Sequence, residues 1–179
     1  MIDIINAFVN EGFSCTLITG RLVERNISLS SSVKMDKIIR YNRTSIIRRL
    51  ISWLYGFLQI WIKVIFKYRK DDLFIVSNPP LAPLIPLFCP NKYSILIFDI
   101  YIEKLAEYLP LRKSSLISKL WIRFHKRVFR KADRIFTLTQ GMKGIIEKYS
   151  EGKEIRVVQV WTDNNFLKPI PTDENIFIK

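Results

Sequence analysis

Tyr93-Ser94-Ile95-Leu96-Ile97-Phe98-Asp99 is the stretch on which the fold turns. A run of apolar, β-favouring residues without polar alternation suits a strand buried on both faces, as in a parallel sheet. The run ends on a carboxylate. Three others follow the same plan: Leu73–Val76 before Ser77-Asn78-Pro79-Pro80, Arg134–Leu138 before Thr139-Gln140-Gly141, and Ile155–Val160 before Trp161-Thr162-Asp163. Helix-like stretches separate them, so the order reads β-α-β-α. In such sheets the polar residues just past the strand ends line a crevice at the carboxyl edge. Ser77, Asn78, Asp99, Thr139 and Asp163 are therefore expected along one rim.

Outward from this core, Met1–Asn10 carries a short helical stripe through Ile4, Ile5, Phe8 and Val9, and Glu11-Gly12 closes it. Cys15–Thr19 reads as a buried strand and Val33–Tyr41 as an edge strand. Ser45–Lys67 is the longest helical candidate, with Ser45 as its cap. Pro83 and Pro86 keep any helix over Leu81–Phe88 short or kinked. Glu103–Tyr108 suits one or two turns, Ser114 or Ser115 caps a helix to about Lys131, and Gln140 or Gly141 opens another that ends near Gly152. An α/β domain normally places a strand before its first helix. None is visible here, so the chain is expected to begin inside a βαβ unit. Residues 1–167 form the expected domain, and 168–179, with Lys168-Pro169-Ile170-Pro171, a linker toward a second one.

At 179 residues the chain is long enough for one α/β core, and 49% apolar content argues against disorder. The outlier is charge: 29 Lys and Arg against 16 Asp and Glu, a formal net of +13. Such an excess draws the protein toward something anionic without choosing among nucleic acid, lipid and phosphorylated substrate. Cys15 and Cys89 stand far apart in apolar company, which favours a reducing cytoplasm over a disulfide framework. Two Cys and one His are too few ligands for a zinc or haem site, and no cofactor is implied. Asp3, Asn6 and Glu11 interrupt any signal-peptide core.

Two segments concentrate the positive charge. Ser45–Lys67 is apolar on nearly every face, yet its uncharged part runs only from Leu50 to Ile62, short of a membrane span. It suits either a helix packed between sheet and neighbours or an interfacial helix. In the latter, Trp53, Tyr55 and Trp61 sit at headgroup depth, and Arg48, Arg49, Lys63, Lys67, Arg69 and Lys70 meet anionic lipid. Arg112–Arg134 carries Lys119, Arg123, Lys126, Arg127, Arg130 and Lys131 around an apolar stripe of Leu116, Leu120, Phe124 and Val128. It is a solvated basic face or, through residues such as Arg123 and Arg127, a contact for lipid phosphate. No RNP-like, zinc-finger or helix-turn-helix pattern supports nucleic acid. His125 reads as a packing or surface residue.

At the rim, Asp99 emerges where a buried strand meets the crevice. Partial desolvation there would raise its pKa and fit it for proton transfer. Glu103 could share the site, and Asp99 could equally cap the following turn. Ser77 and Asn78 lie on a turn stiffened by Pro79-Pro80. Thr139 with Gln140-Gly141 offers a hydroxyl and backbone N–H groups at a helix start, for a ligand or for capping alone.

Taken in order, Ser77-Asn78-Pro79-Pro80, Phe98-Asp99-Ile100-Tyr101-Ile102-Glu103, Lys131-Ala132-Asp133-Arg134-Ile135-Phe136-Thr137-Leu138-Thr139-Gln140-Gly141-Met142 and Val158–Pro169 resemble the N-terminal domain of family 4 glycosyltransferases of the GT-B fold, of the kind that builds bacterial surface polysaccharides. The resemblance implies a Rossmann-like three-layer α/β/α domain with a mainly parallel sheet, lacking the family's first strand and glycine-rich loop. It would be the acceptor half of a retaining enzyme whose C-terminal domain holds most of the nucleotide-sugar. It further implies a polyprenyl-diphosphate-linked acceptor at the inner face of the plasma membrane, in capsule or O-antigen-type synthesis. Asp99 and Glu103 would be catalytic, with Asp99 orienting or polarising the acceptor hydroxyl. Ser77, Asn78, Thr139, Gln140 and Asp163 would bind substrate. Where the family commonly has Pro before the second acid, this chain has Ile102. The rival reading from the residues is a non-catalytic basic module for membrane or nucleic acid.

Overall fold

The structure is a computed structural model that describes residues 2–24, 27–42, 44–79, 81–100, 116–158, 171 and 174. Its elements run α1 (Ile2–Asn10), β1 (Thr16–Thr19), β2 (Lys34–Lys37), α2 (Ile46–Phe66), β3 (Leu73–Val76), a short 3₁₀ helix (Ala82–Phe88), β4 (Tyr93–Ile97), α3 (Leu116–Lys131), β5 (Arg134–Thr137), α4 (Gln140–Ser150) and β6 (Ile155–Val157). Each expected apolar run that falls within the described residues is a strand. Residues 101–115, with the expected turns after Glu103 and the Ser114 or Ser115 cap, and 159–170, with Asp163 and most of the linker, lie outside the described residues.

Every pairing is parallel. β3-β4-β5-β6 form a four-stranded sheet, and β1-β2 form a separate two-stranded one. The register places Val76 beside Leu96, Ile97 beside Thr137 and Thr137 beside Val157, so the strands end nearly level. This is the mixed α/β, Rossmann-like arrangement expected from β-α-β-α order, since parallel neighbours need helical crossovers.

One face of the larger sheet carries the core. Ile95 and Ile97 of β4, Ile135 of β5 and Ile155 of β6 pack with Val128 and Phe129 of α3 and Ile146 of α4. The buried Tyr93 hydroxyl donates to the Val128 carbonyl at 2.5 Å, which ties β4 to α3. Val64 of α2 meets Ala82 and Ile85 of the 3₁₀ helix in an adjoining cluster. Phe74 and Phe136, at alternate positions, come within 6.3 Å of each other, and Phe8 of α1 reaches Phe74 at 5.2 Å. The sheet therefore has helices on two sides.

Local chemistry explains the helix ends. The Ser45 hydroxyl accepts from the Arg48 amide, the expected cap of α2. Pro83 at its start and Pro86 inside it suit the short 3₁₀ helix over Ala82–Phe88. At the end of α4, Glu151 as well as Gly152 takes positive φ, at 53° and 82°. The expected glycine stop is thus shared with a non-glycine residue. A side chain at Gly20 would run into the Ile39 carbonyl, so only glycine lets the end of β1 pass the segment after β2.

Candidate functional site

The parallel register turns the ends of β3, β4 and β5 toward one edge. Ser77 directly follows β3 and is buried. Its amide donates to the Leu96 carbonyl at 3.0 Å. Its hydroxyl oxygen accepts from the amides of Phe98 at 2.9 Å and Asp99 at 3.2 Å. The chain leaving β4 is therefore fixed by a side chain from β3, and Ser77 acts on Asp99 through the backbone. Asn78 stands next on the exposed side, followed by Pro79 across a cis peptide bond.

β4 and β5 end side by side, Ile97 beside Thr137, and Asp99 and Thr139 each stand two residues further along their chains. Thr139 caps α4, its hydroxyl accepting from the Met142 amide at 3.2 Å. Thr139 and Gln140 are exposed at the start of a helix whose dipole favours negative charge. Ser77, Asn78, Asp99, Thr139 and Gln140 thus share one edge of the sheet. Glu103 and Asp163 lie outside the described residues.

A small recess of about 10 Å³ lies at this edge between Ser77, Ile97, Asp99, Ile100, His125 and Phe129. His125, expected as a packing or surface residue, is packed into the wall of this recess. It is 3% exposed, and its Nδ1 lies 3.0 Å from the Trp121 carbonyl one turn earlier on α3. A carbonyl only accepts, so Nδ1 carries the proton and Nε2 is left as an acceptor. Burial pushes the imidazole down to about 4, partly opposed by that backbone hydrogen bond, so it is neutral near pH 7. The only sequence signal was its place on the apolar side of the helix, one position past Phe124 and three before Val128.

The basic segments resolve into different roles. Arg123 and Arg127 are exposed on α3. On α2, Arg48 is exposed and Arg49 half-buried. Trp53 stacks on Tyr41 with centroids 5.7 Å apart, and Trp61 Nε1 donates to the Phe88 carbonyl at 3.1 Å. Lys63 donates to Asp36 of β2 at 2.5 Å, where Lys67 and the Tyr68 hydroxyl also donate, at 2.9 and 2.6 Å. These three partners, Lys63 first, hold the Asp36 carboxyl far below the usual carboxylate range.

No family model matches the chain. Over 158 residues it is 22% identical to the probable glycosyltransferase WbjE of Pseudomonas aeruginosa, a match covering 85% of this chain and 40% of that protein. The chain is similar to less than half of that relative.

Proposed function

We propose that this chain is the acceptor-binding part of a glycosyltransferase that moves a sugar from a nucleotide-sugar to a lipid-linked saccharide in surface-polysaccharide synthesis. The observation that carries the reading is the side-by-side ending of the parallel strands β4 and β5, with Asp99 and Thr139 each two residues beyond, in a chain similar to a probable glycosyltransferase. Asp99 accepts a hydrogen bond from the acceptor hydroxyl and orients its oxygen toward the anomeric carbon. Thr139, Gln140 and Asn78 contact the acceptor's polar groups from the neighbouring strand ends. Ser77 sets the backbone that presents Asp99. The anomeric carbon gains a bond to the acceptor oxygen and loses its bond to the nucleotide diphosphate, which leaves with the electron pair. The acceptor proton passes to the medium or to that leaving phosphate. Residues 1–167 form this domain, a second domain grips the nucleotide-sugar, and the acceptor sits at the inner face of the plasma membrane. The reaction retains anomeric configuration, Glu103 shares in catalysis, Asp163 shares in substrate binding, and Arg123 and Arg127 contact the acceptor's diphosphate or anionic lipid.

Incorporation of radiolabelled sugar from UDP- and GDP-sugars into lipid extracts of bacterial membranes tests this reading. A polypeptide joining this chain to a nucleotide-sugar-binding domain is expected to incorporate label, and the 179 residues alone are not. Transfer by the 179 residues alone overturns the division of labour.

A further inference from the structure

Helix α2 carries an apolar stripe that the rest of the described protein leaves uncovered. Ile47, Leu50, Ile51, Leu54, Leu58, Ile62 and Phe66 recur at helical spacing, with exposures between 40% for Leu58 and 82% for Phe66. The opposite side is bolted down along its length. Ser52 Oγ accepts from the Asn42 amide, Gln59 Oε1 accepts from the Ile39 amide at 2.7 Å, and Lys63 and Lys67 hold Asp36. A surface helix normally turns its apolar stripe inward. Here a second stripe faces out, and contiguous exposed apolar surface marks an interaction site.

We propose that this stripe is a membrane-docking surface: α2 lies in the plane of an anionic bilayer with the Leu54–Leu58–Ile62 side immersed among acyl chains. Charge selects the occupant. Residues 46–70 contain six cations, Arg48, Arg49, Lys63, Lys67, Arg69 and Lys70, and no acid, with Asp71 and Asp72 following. Lys63 and Lys67 are taken up by Asp36, which leaves Arg48 near one end of the stripe and Arg69 and Lys70 past the other, where cations fit anionic headgroups. A second copy fits poorly, because antiparallel pairing brings Arg48 toward the partner's Arg69 and Lys70 end, and parallel pairing sets Arg48 against itself. By length and composition Ile47–Phe66 would also pass for a spanning helix. Its uncharged run, Leu50–Ile62, covers roughly 20 Å against about 30 Å of hydrocarbon. Spanning would also drag the Asp36 cluster and the Ser52 and Gln59 bonds into lipid. In-plane docking keeps all of them on the protein side. Lipid contact then falls on the aliphatic residues of the stripe and on Phe66, with Trp53 and Trp61 turned toward Tyr41 and Phe88. The inference rests on the proposed function only in choosing the inner membrane face, and its test needs neither donor nor acceptor.

The test is flotation of the full polypeptide with vesicles of phosphatidylglycerol and phosphatidylethanolamine, against phosphatidylcholine alone, with sedimentation velocity on lipid-free protein. Unmodified protein is expected to be monomeric and to bind the anionic vesicles at least tenfold more tightly. The Leu54→Glu/Leu58→Glu variant is expected to lose at least tenfold in binding with an unchanged melting profile. Equal binding by both proteins overturns the proposal, and so does a dimer that the variant dissociates. Should the variant fail to fold, photoreactive phosphatidylglycerol decides on the unmodified chain. Adducts within residues 47–66 support the docking surface, and adducts confined elsewhere overturn it.

Discussion

The Ser77 hydroxyl oxygen lies 3.2 Å from the Asp99 amide nitrogen and accepts its hydrogen bond, together with that of Phe98. One small side chain thus sets where the carboxylate leaves the sheet. Ser77→Ala leaves two amides short of an acceptor in a buried place. Its cost is expected at about 1–3 kcal/mol, read as a lower urea midpoint with unchanged slope. Sugar transfer should fall with it.

Thr139 carries a separable load. Thr139→Ala removes the α4 cap and should cost about 1 kcal/mol in urea unfolding, whereas Thr139→Ser retains the capping oxygen and most of the stability. A loss of transfer by Thr139→Ser without a stability change would point to the methyl group touching substrate.

The neutral state of His125 makes a pH prediction. Its folded pKa, about 4, lies below the ordinary value of about 6.5, so the unfolded chain binds more protons between these values. The contribution is fully present above about pH 6.5 and is lost as pH falls toward 4, with a full span of roughly 3 kcal/mol. Urea midpoints at pH 7 and pH 4.5 should differ less for His125→Phe than for the unmodified protein. An unchanged difference would mean that other groups govern this range.

Asp36 is the polar joint between the small sheet and α2. Its pKa is depressed, so its contribution is present above the ordinary carboxylate value and is lost only as pH falls through the lowered one. Asp36→Asn should speed amide exchange in Lys34–Lys37 and leave β4 and β5 protected. Uniform loss of protection would show that the two sheets unfold as one unit.

Much of this was legible in the chain, and the reasons differ element by element. Leu73–Val76 and Tyr93–Ile97 announced themselves because uninterrupted apolar runs have few other uses in a domain of this size. Ser45 and Thr139 were recognisable as caps because capping is a local matter, three residues wide. The Ser77 bonds join positions more than twenty residues apart, and no local pattern encodes them. His125 reaches the recess only because α3 packs its Val128 side on β4. The orientation of α2 was hidden for a different reason. With apolar residues on nearly every face, its periodicity could not say which face the protein covers. Ser52, Gln59 and Lys63 decide it through partners on the segment from Asp36 to Asn42.

The central claim, that the Asp99 carboxylate serves sugar transfer at the strand ends, is met most directly by kcat/KM of Asp99→Asn in the full polypeptide, alongside its urea midpoint. A loss on the order of 100-fold or more with an unmoved midpoint is the expected result. Transfer within a few-fold of the unmodified protein would contradict it.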